Sequence, residues 1–295
     1  NIGRGCEQLL SYNEELNAII DEDEETPGAN IDVDGPSTTM IVSIGIGLLM
    51  AATGFAQEKR MAVVETSTCY MRIAPDYESA LETQELMGTV VEIVGESGYW
   101  REIVSPQPYK AWTTEKTLVE MSEEHIKEYE EAPKYMFTEL YGHIYMEPSE
   151  KSQTICDLVG GDVMRTVLKG RKPVAKGKWA QVELPSGTKG WVLKDAVQQL
   201  GDRIDIRKGD TSDQMVSDEK MEAIIASAQK LLGVPYFWGG MSSKGVDCSG
   251  LVRISAIMND VLLPRNASQQ IYCGTPIEMN YDSAFEDENY RIVCL

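Results

Sequence analysis

The sequence predicts an α+β chain: two small β-barrels in tandem, then a mixed domain built around a cysteine at a helix start. Three observations carry this. Two stretches after residue 60 repeat one another at fixed offsets. An amphipathic helical pattern follows near residue 217. A glycine-rich segment then leads to Cys248 and a second helical pattern.

At 295 residues and 32.8 kDa the chain is long enough for two or three domains with sizeable cores. Apolar residues make up 42% and charged residues 25%, which excludes collagen, coiled coil and wholesale disorder. The balance of 27 bases against 47 acids gives a net charge of −20. A chain this acidic has no basic footprint for nucleic acid and is repelled by anionic membrane surfaces. Six cysteines (6, 69, 156, 248, 273 and 294) are too sparse for a disulfide scaffold. None of them has metal-ligand spacing, the only histidines are His125 and His143, and no zinc site or other cofactor is expected.

Residues 1–39 hold ten acids against Arg4, a net −9, and read as an acidic, disordered extension. Met40 to Ala56 carries no charge over 17 residues. That is short of the roughly 20 a spanning helix needs, and fits a secretory apolar core ending in small residues. Export to the periplasm or the extracellular space is expected, with Met40 near the true start and Gln57 as the first mature residue. An internal apolar helix or anchor is the competing reading.

The repeat comes next. Pro75 and Pro148, Ser79 and Ser152, Gly88 and Gly161, and Val90 and Val163 are each 73 apart. Trp100 and Trp179, and Trp112 and Trp191, are 79 apart, so six extra residues fall around Arg171–Gly177 in the second copy. Runs such as Thr89–Val94 and Trp179–Leu184 alternate as short strands, with a turn signal at Pro185-Ser186-Gly187. The modules are placed at 61–120 and 135–200, joined by a Glu-rich helical connector over Ser122–Glu131. The tryptophans read either as core packing or as a ligand platform.

Residues 201–216 read as a linker. Met221, Ile224, Ile225, Ala228, Leu231 and Leu232 then form one helix face, with Ser217 or Asp218 to cap its start and Gly233 its end. Gly239, Gly240 and Gly245 mark a loop in which a substrate backbone could approach closely. Leu251, Val252, Ser255 and Met258 have helical spacing, which sets Cys248 at a helix N-terminus. There the dipole and free N–H groups favour the nucleophilic thiolate. A buried structural cysteine is the alternative.

Three blocks resemble the NlpC/p60 family of cell-wall cysteine peptidases. They are Pro235-Tyr236-x-Trp238-Gly239-Gly240, Asp247-Cys248-Ser249-Gly250-Leu251-Val252, and Leu263-Pro264-Arg265-Asn266-Ala267-Ser268-Gln269-Gln270. The pattern Pro, Ser, Leu-x-Gly-x-Val, Trp, Gly-Trp-Val resembles bacterial SH3-like modules. Together these are similar to the γ-D-glutamyl-L-diamino acid endopeptidases. The resemblance implies two SH3-like barrels before a papain-like domain over 214–295. It also implies cleavage of wall peptides of the form L-Ala-γ-D-Glu-diamino acid. Cys248 is then the nucleophile, and its backbone N–H helps hold the oxyanion. Tyr236 assists from the pocket wall, Asp247 and Ser249 bind the L-Ala-D-Glu portion, and Leu263-Pro264-Arg265 shapes the pocket. The first module supplies a tyrosine, for which Tyr109 is the candidate, and an acid with no assigned position. Asn266 stands where the branch often has Asp.

The family carries its general-base histidine after the Ser-Gln-Gln block, and no histidine follows Cys248 here. The domain reads as truncated at its C-terminus, and the chain as written is expected to be inactive or nearly so. The competing reading is a non-catalytic protein that binds wall peptides through its SH3-like modules.

Overall fold

The computed structural model describes residues 59–106, 109–200 and 216–273. The acidic extension, the segment 40–56, the linker through residue 215 and everything past Cys273 lie outside the described residues. No helix among the described residues is long and apolar enough to cross a membrane.

The first repeat folds as β1 (Arg60–Val64), β2 (Thr68–Arg72), β3 (Leu81–Leu86), β4 (Val90–Ser97), β5 (Trp100–Val104), β6 (Lys110–Thr114) and β7 (Leu118–Met121). Its strands pair in the order β3-β2-β6-β5-β4-β1-β7. The connector is α1 (Glu123–Glu131), capped by the Ser122 hydroxyl on the His125 N–H, with Ile126 and Tyr129 buried. The second repeat gives β8 (Lys134–Phe137), β9 (Tyr141–Tyr145), β10 (Thr154–Val159) and β11 (Val163–Thr166). The two-residue strands β12 (Leu168–Lys169), β13 (Lys172–Pro173) and β14 (Ala175–Lys176) hold the inserted residues. β15 (Trp179–Glu183), β16 (Lys189–Leu193) and β17 (Val197–Leu200) complete the sheet, in the order β10-β9-β16-β15-β11-β8-β17.

Among the described residues neither path of strands closes on itself, so the expected barrels are open sheets. The reason is visible at β3. The Met241 N–H donates to the Gln84 side-chain oxygen at 2.8 Å, and Gly239 packs against Leu81 and the Glu82 carbonyl. The edge that closure would pair is covered by the loop leading to Cys248, one of the ways a sheet manages an exposed edge.

The repeat holds hydrogen bond for hydrogen bond. In the β2–β3 loop, the Ile73 N–H donates to Ala80 O, Asp76 N–H to Ala74 O, and Ala74 N–H to the Ser79 hydroxyl. The β9–β10 loop repeats all three, at Met146 to Gln153, Ser149 to Glu147, and Glu147 to the Ser152 hydroxyl. Gly88 and Gly161 turn the chain at φ 82° and 92°, a region glycine enters without strain. Trp100 and Trp179 are each 5% exposed, so those two tryptophans are core.

The two turns dock on each other. Asp162, fully buried, accepts from the Met87 N–H at 3.1 Å and the Val159 N–H at 2.8 Å. Asp162→Asn puts an amide donor against one of these N–H groups. It should cost about 1–3 kcal/mol, read as a shift in the urea midpoint at unchanged slope. A shift below about 0.5 kcal/mol would remove this carboxylate from the account of the docking.

The last segment has α2 (Asp218–Lys230), capped by Ser217, then the ribbon β18 (Met241–Ser242) and β19 (Gly245–Val246). α3 (Cys248–Ile257) and the single turn α4 (Ala267–Gln270) follow. One core joins this segment to both sheets: Leu86 from the first, Met136, Val159 and Val163 from the second, and Leu251, Ile254 and Ile257 from α3. Lys244 ties them again, reaching Asp157 at 2.5 Å, Ser67 at 2.8 Å and Thr68 at 3.1 Å.

Candidate active site

Cys248 is the first residue of α3 and its thiol is exposed and free. The other described thiols differ. Burial pushes Cys69 up to about 11 and Cys156 up to about 12, so both stay protonated at neutral pH. Cys273 is exposed.

Asp247 is the residue that ends the loop and starts the helix. Its extended backbone leaves its carboxylate free to accept from the Gly250 N–H at 2.7 Å, an N-cap. The same carboxylate accepts from the Gly239 N–H at 3.0 Å and the Ser249 hydroxyl at 3.3 Å. Arg265 completes it in two-pronged fashion, at 3.0 and 2.5 Å. Five donors converge on a carboxylate with about four lone-pair sites, so it is saturated by the chain itself. Ser249 is likewise engaged, accepting from Arg265 at 2.8 Å.

The guanidinium of Arg265 is 5% exposed, and its Nε donates to the Thr83 hydroxyl of β3 at 2.9 Å. One side chain therefore links the first sheet to the start of the cysteine helix. Gln270 of α4 supports the same corner, donating to Ser249 O at 3.0 Å and Pro264 O at 2.8 Å.

The remaining candidates gather on the open side. Tyr236 is 65% exposed, next to the ribbon through its bridge to Val246. Its phenol is raised by partial burial, then by the nearby Cys248 and Asp247. The Tyr109 phenol, from the end of the β5–β6 connection, donates to the Asn266 side-chain oxygen. Tyr109 is raised by burial, opposed by Arg265, and raised further by Glu82 and Asp247. All six residues expected from sequence thus lie around one corner where β3, the β5–β6 connection and the start of α3 meet.

Thr83 and Glu82 were not legible as site residues, and Arg265, expected only to shape the pocket, is the buried partner of Asp247. Glu82 is exposed on β3, with its main chain against Gly239 and its charge felt by Tyr109. The two imidazoles lie elsewhere. His125 is in the first turn of α1, and His143 in β9 packs edge-on to Tyr141 with centroids 5.1 Å apart.

Known proteins resemble this chain in sequence and in fold. The NlpC/P60 family profile matches residues 233–288. A γ-D-glutamyl-L-lysine dipeptidyl-peptidase of Bacillus cereus is 27% identical over 211 residues, 68% of this chain and 57% of that protein. The chain thus spans little more than half the length of that relative. Dipeptidyl-peptidase 6 of Lysinibacillus sphaericus is 23% identical, covering 74% of this chain and 75% of that protein. The crystal structure of an NlpC/P60 family protein from Bacillus cereus shares the fold with a TM-score of 0.59 at 21% identity, over 74% of this chain and 78% of that one. Residues 233–288, which include Cys248 and the start of its helix, match the NlpC/P60 family over that segment.

Proposed function

We propose that the chain engages cell-wall peptides of the form L-Ala-γ-D-Glu-diamino acid, with Cys248 as the nucleophile for the γ-glutamyl bond. The observation that carries this is an exposed thiol at a capped helix N-terminus, in a segment that a phenol of the first repeat, Tyr109, reaches at Asn266. In the reaction the Cys248 sulfur attacks the γ-carbonyl carbon, and the C–N bond breaks as the proton given up by the thiol goes to the departing diamino acid nitrogen. The acyl group stays on sulfur until water displaces it. The Cys248 N–H at the helix start faces the developing oxyanion, and Tyr236 donates beside it. Tyr109 and Glu82 form the first module's side of the pocket, and Asn266 meets Tyr109 from the thiol segment. Glu82 supplies the carboxylate for a free peptide ammonium that the sequence left without a position. Asp247 and Ser249, already saturated, act by holding the helix start and not by touching peptide. In this reading the two repeats are SH3-like modules, and the protein is exported.

A second reading is favoured by one observation: both histidines of these 295 residues, one in α1 and one in β9, belong to elements other than the segment that carries the thiol. Acyl transfer from cysteine needs an adjacent base. The chain as it stands then binds the peptide and turns over little or none of it.

The purified protein should be offered L-Ala-γ-D-Glu-L-Lys, with binding and cleavage measured separately. Cleavage lost in Cys248→Ala establishes the peptidase within this chain. Saturable binding without cleavage, weakened in Tyr109→Ala, establishes the binder. Neither binding nor cleavage would sink both. In the same sample, iodoacetamide at neutral pH should label Cys248 while Cys69 and Cys156 stay unlabelled. Labelling of the buried pair at a comparable rate would contradict the burial described above.

A further inference from the structure

The repeat contains its own control experiment. The β2–β3 and β9–β10 loops share their hydrogen bonds at an offset of 73, which makes Tyr77 the counterpart of Glu150. The β4–β5 and β14–β15 turns share Gly98 and Gly177 at φ 58°, followed by matching bonds from Glu115 N–H to Tyr99 O and from Lys194 N–H to Lys178 O. Tyr99 is therefore the counterpart of Lys178, and Trp100 of Trp179.

In the second copy this position is an ordinary solvated surface. Lys178 pairs with Glu150 at 2.6 Å and lies 5.7 Å from the Trp179 ring centroid. In the first copy the same backbone carries two tyrosines. Tyr77 and Tyr99 stack with centroids 6.1 Å apart and planes 27° from parallel. Both lean on the buried Trp100, at 4.9 and 5.6 Å. They remain 59% and 48% exposed. The fold needs the tryptophan. The second copy shows that it does not need the tyrosines, so their exposed rings have another use.

We infer that Tyr77, Tyr99 and Trp100 form a platform for a neutral pyranose chain, a binding site separate from the thiol corner. A pyranose has a face of C–H bonds that meets the negative face of an aromatic ring, and an edge of hydroxyls. Two nearly parallel phenols supply flat rings with hydroxyls at their rim. Asp76 and Glu78 flank them on a chain of net charge −20, which disfavours an anionic ligand. The inference stands apart from the peptidase reading, since nothing in the platform uses Cys248.

The test transplants the second copy's surface into the first: Tyr77→Glu with Tyr99→Lys. That pair already exists on the same backbone, so folding is retained, as a matching melting curve would verify. The probe is the tetramer of N-acetylglucosamine, titrated by calorimetry. The intact chain should bind it saturably, and the double variant roughly ten-fold or more weakly. Cys248→Ala should bind it like the intact chain. Equal binding by the double variant would overturn the inference, as would no saturable binding up to about 10 mM. Loss of binding in Cys248→Ala would place the sugar at the thiol corner and overturn it too. Competition by a lysine amine at the platform, without sugar binding, would show a cation site and do the same.

Discussion

Replacing Arg265 with methionine should destabilise the protein by about 3–5 kcal/mol, the cost of leaving a buried charge without its partner. Methionine retains most of the stem but none of the donors. Asp247, 8% exposed, would keep its carboxylate with only the Gly239 and Gly250 amides and the Ser249 hydroxyl to hold it. The Thr83 hydroxyl would lose its donor as well. The side chains of the pair are 6% and 10% exposed, so water does little to compensate. Adding Asp247→Asn should recover part of the loss, because the uncompensated charge then disappears while the amide oxygen can still cap α3. Urea unfolding of the four members of this cycle decides it. A single-variant loss below about 1 kcal/mol, in the range of an exposed ion pair, would refute the assignment. The helices and both sheets share one core, so the loss should appear as a shift of the whole transition.

How much of this corner was readable beforehand depended on whether the signal was local. Ser217 as one of the two candidate caps, the Glu-rich connector as α1, and Cys248 at a helix start follow from spacing within a few residues. The structure places each as read. Sheet closure is not local. Alternation specifies strands such as Thr89–Val94, but not that the Gln84 side chain receives the Met241 N–H and that edge of the sheet stays open. Arg265 is the clearest case. Its bond to Thr83 spans 182 residues, and nothing near Pro264 announces that the next guanidinium turns inward. Tyr109 was reachable only through the family resemblance, since a lone tyrosine before a strand carries no signal of a partner at Asn266.

The glycines of the loop were misread in an instructive way, and Gly250 gives the last large effect. Their freedom suggested room for a substrate backbone. The space is filled by the chain. A Cβ on Gly250 would lie 2.1 Å from the Gly240 carbonyl oxygen and 2.9 Å from the Asp247 carboxylate. A Cβ on Gly240 would in turn lie 2.5 Å from the Gly245 carbonyl and 2.7 Å from that of Phe237. In an open helix Gly→Ala gains about 1 kcal/mol from propensity. Gly250→Ala should instead lose 3 kcal/mol or more, at or beyond the upper end of what overpacking usually costs (about 1–3 kcal/mol). The obstacle is backbone and not the far end of a flexible side chain. Relief requires α3 to move off the loop, which carries Cys248 away from Tyr236 and breaks the Asp247 cap. The variant should therefore melt earlier and also lose its difference in iodoacetamide labelling between Cys248 and the less accessible thiols, as the buried Cys69 and half-buried Cys156 open. Gly98→Ala, with no atom within 4 Å of its new Cβ but a positive φ of 58°, serves as the contrast: it carries backbone strain of about 1 kcal/mol and no clash. A Gly250→Ala protein as stable as Gly98→Ala would mean that the helix start is free to shift, and that the loop does not fix the nucleophile.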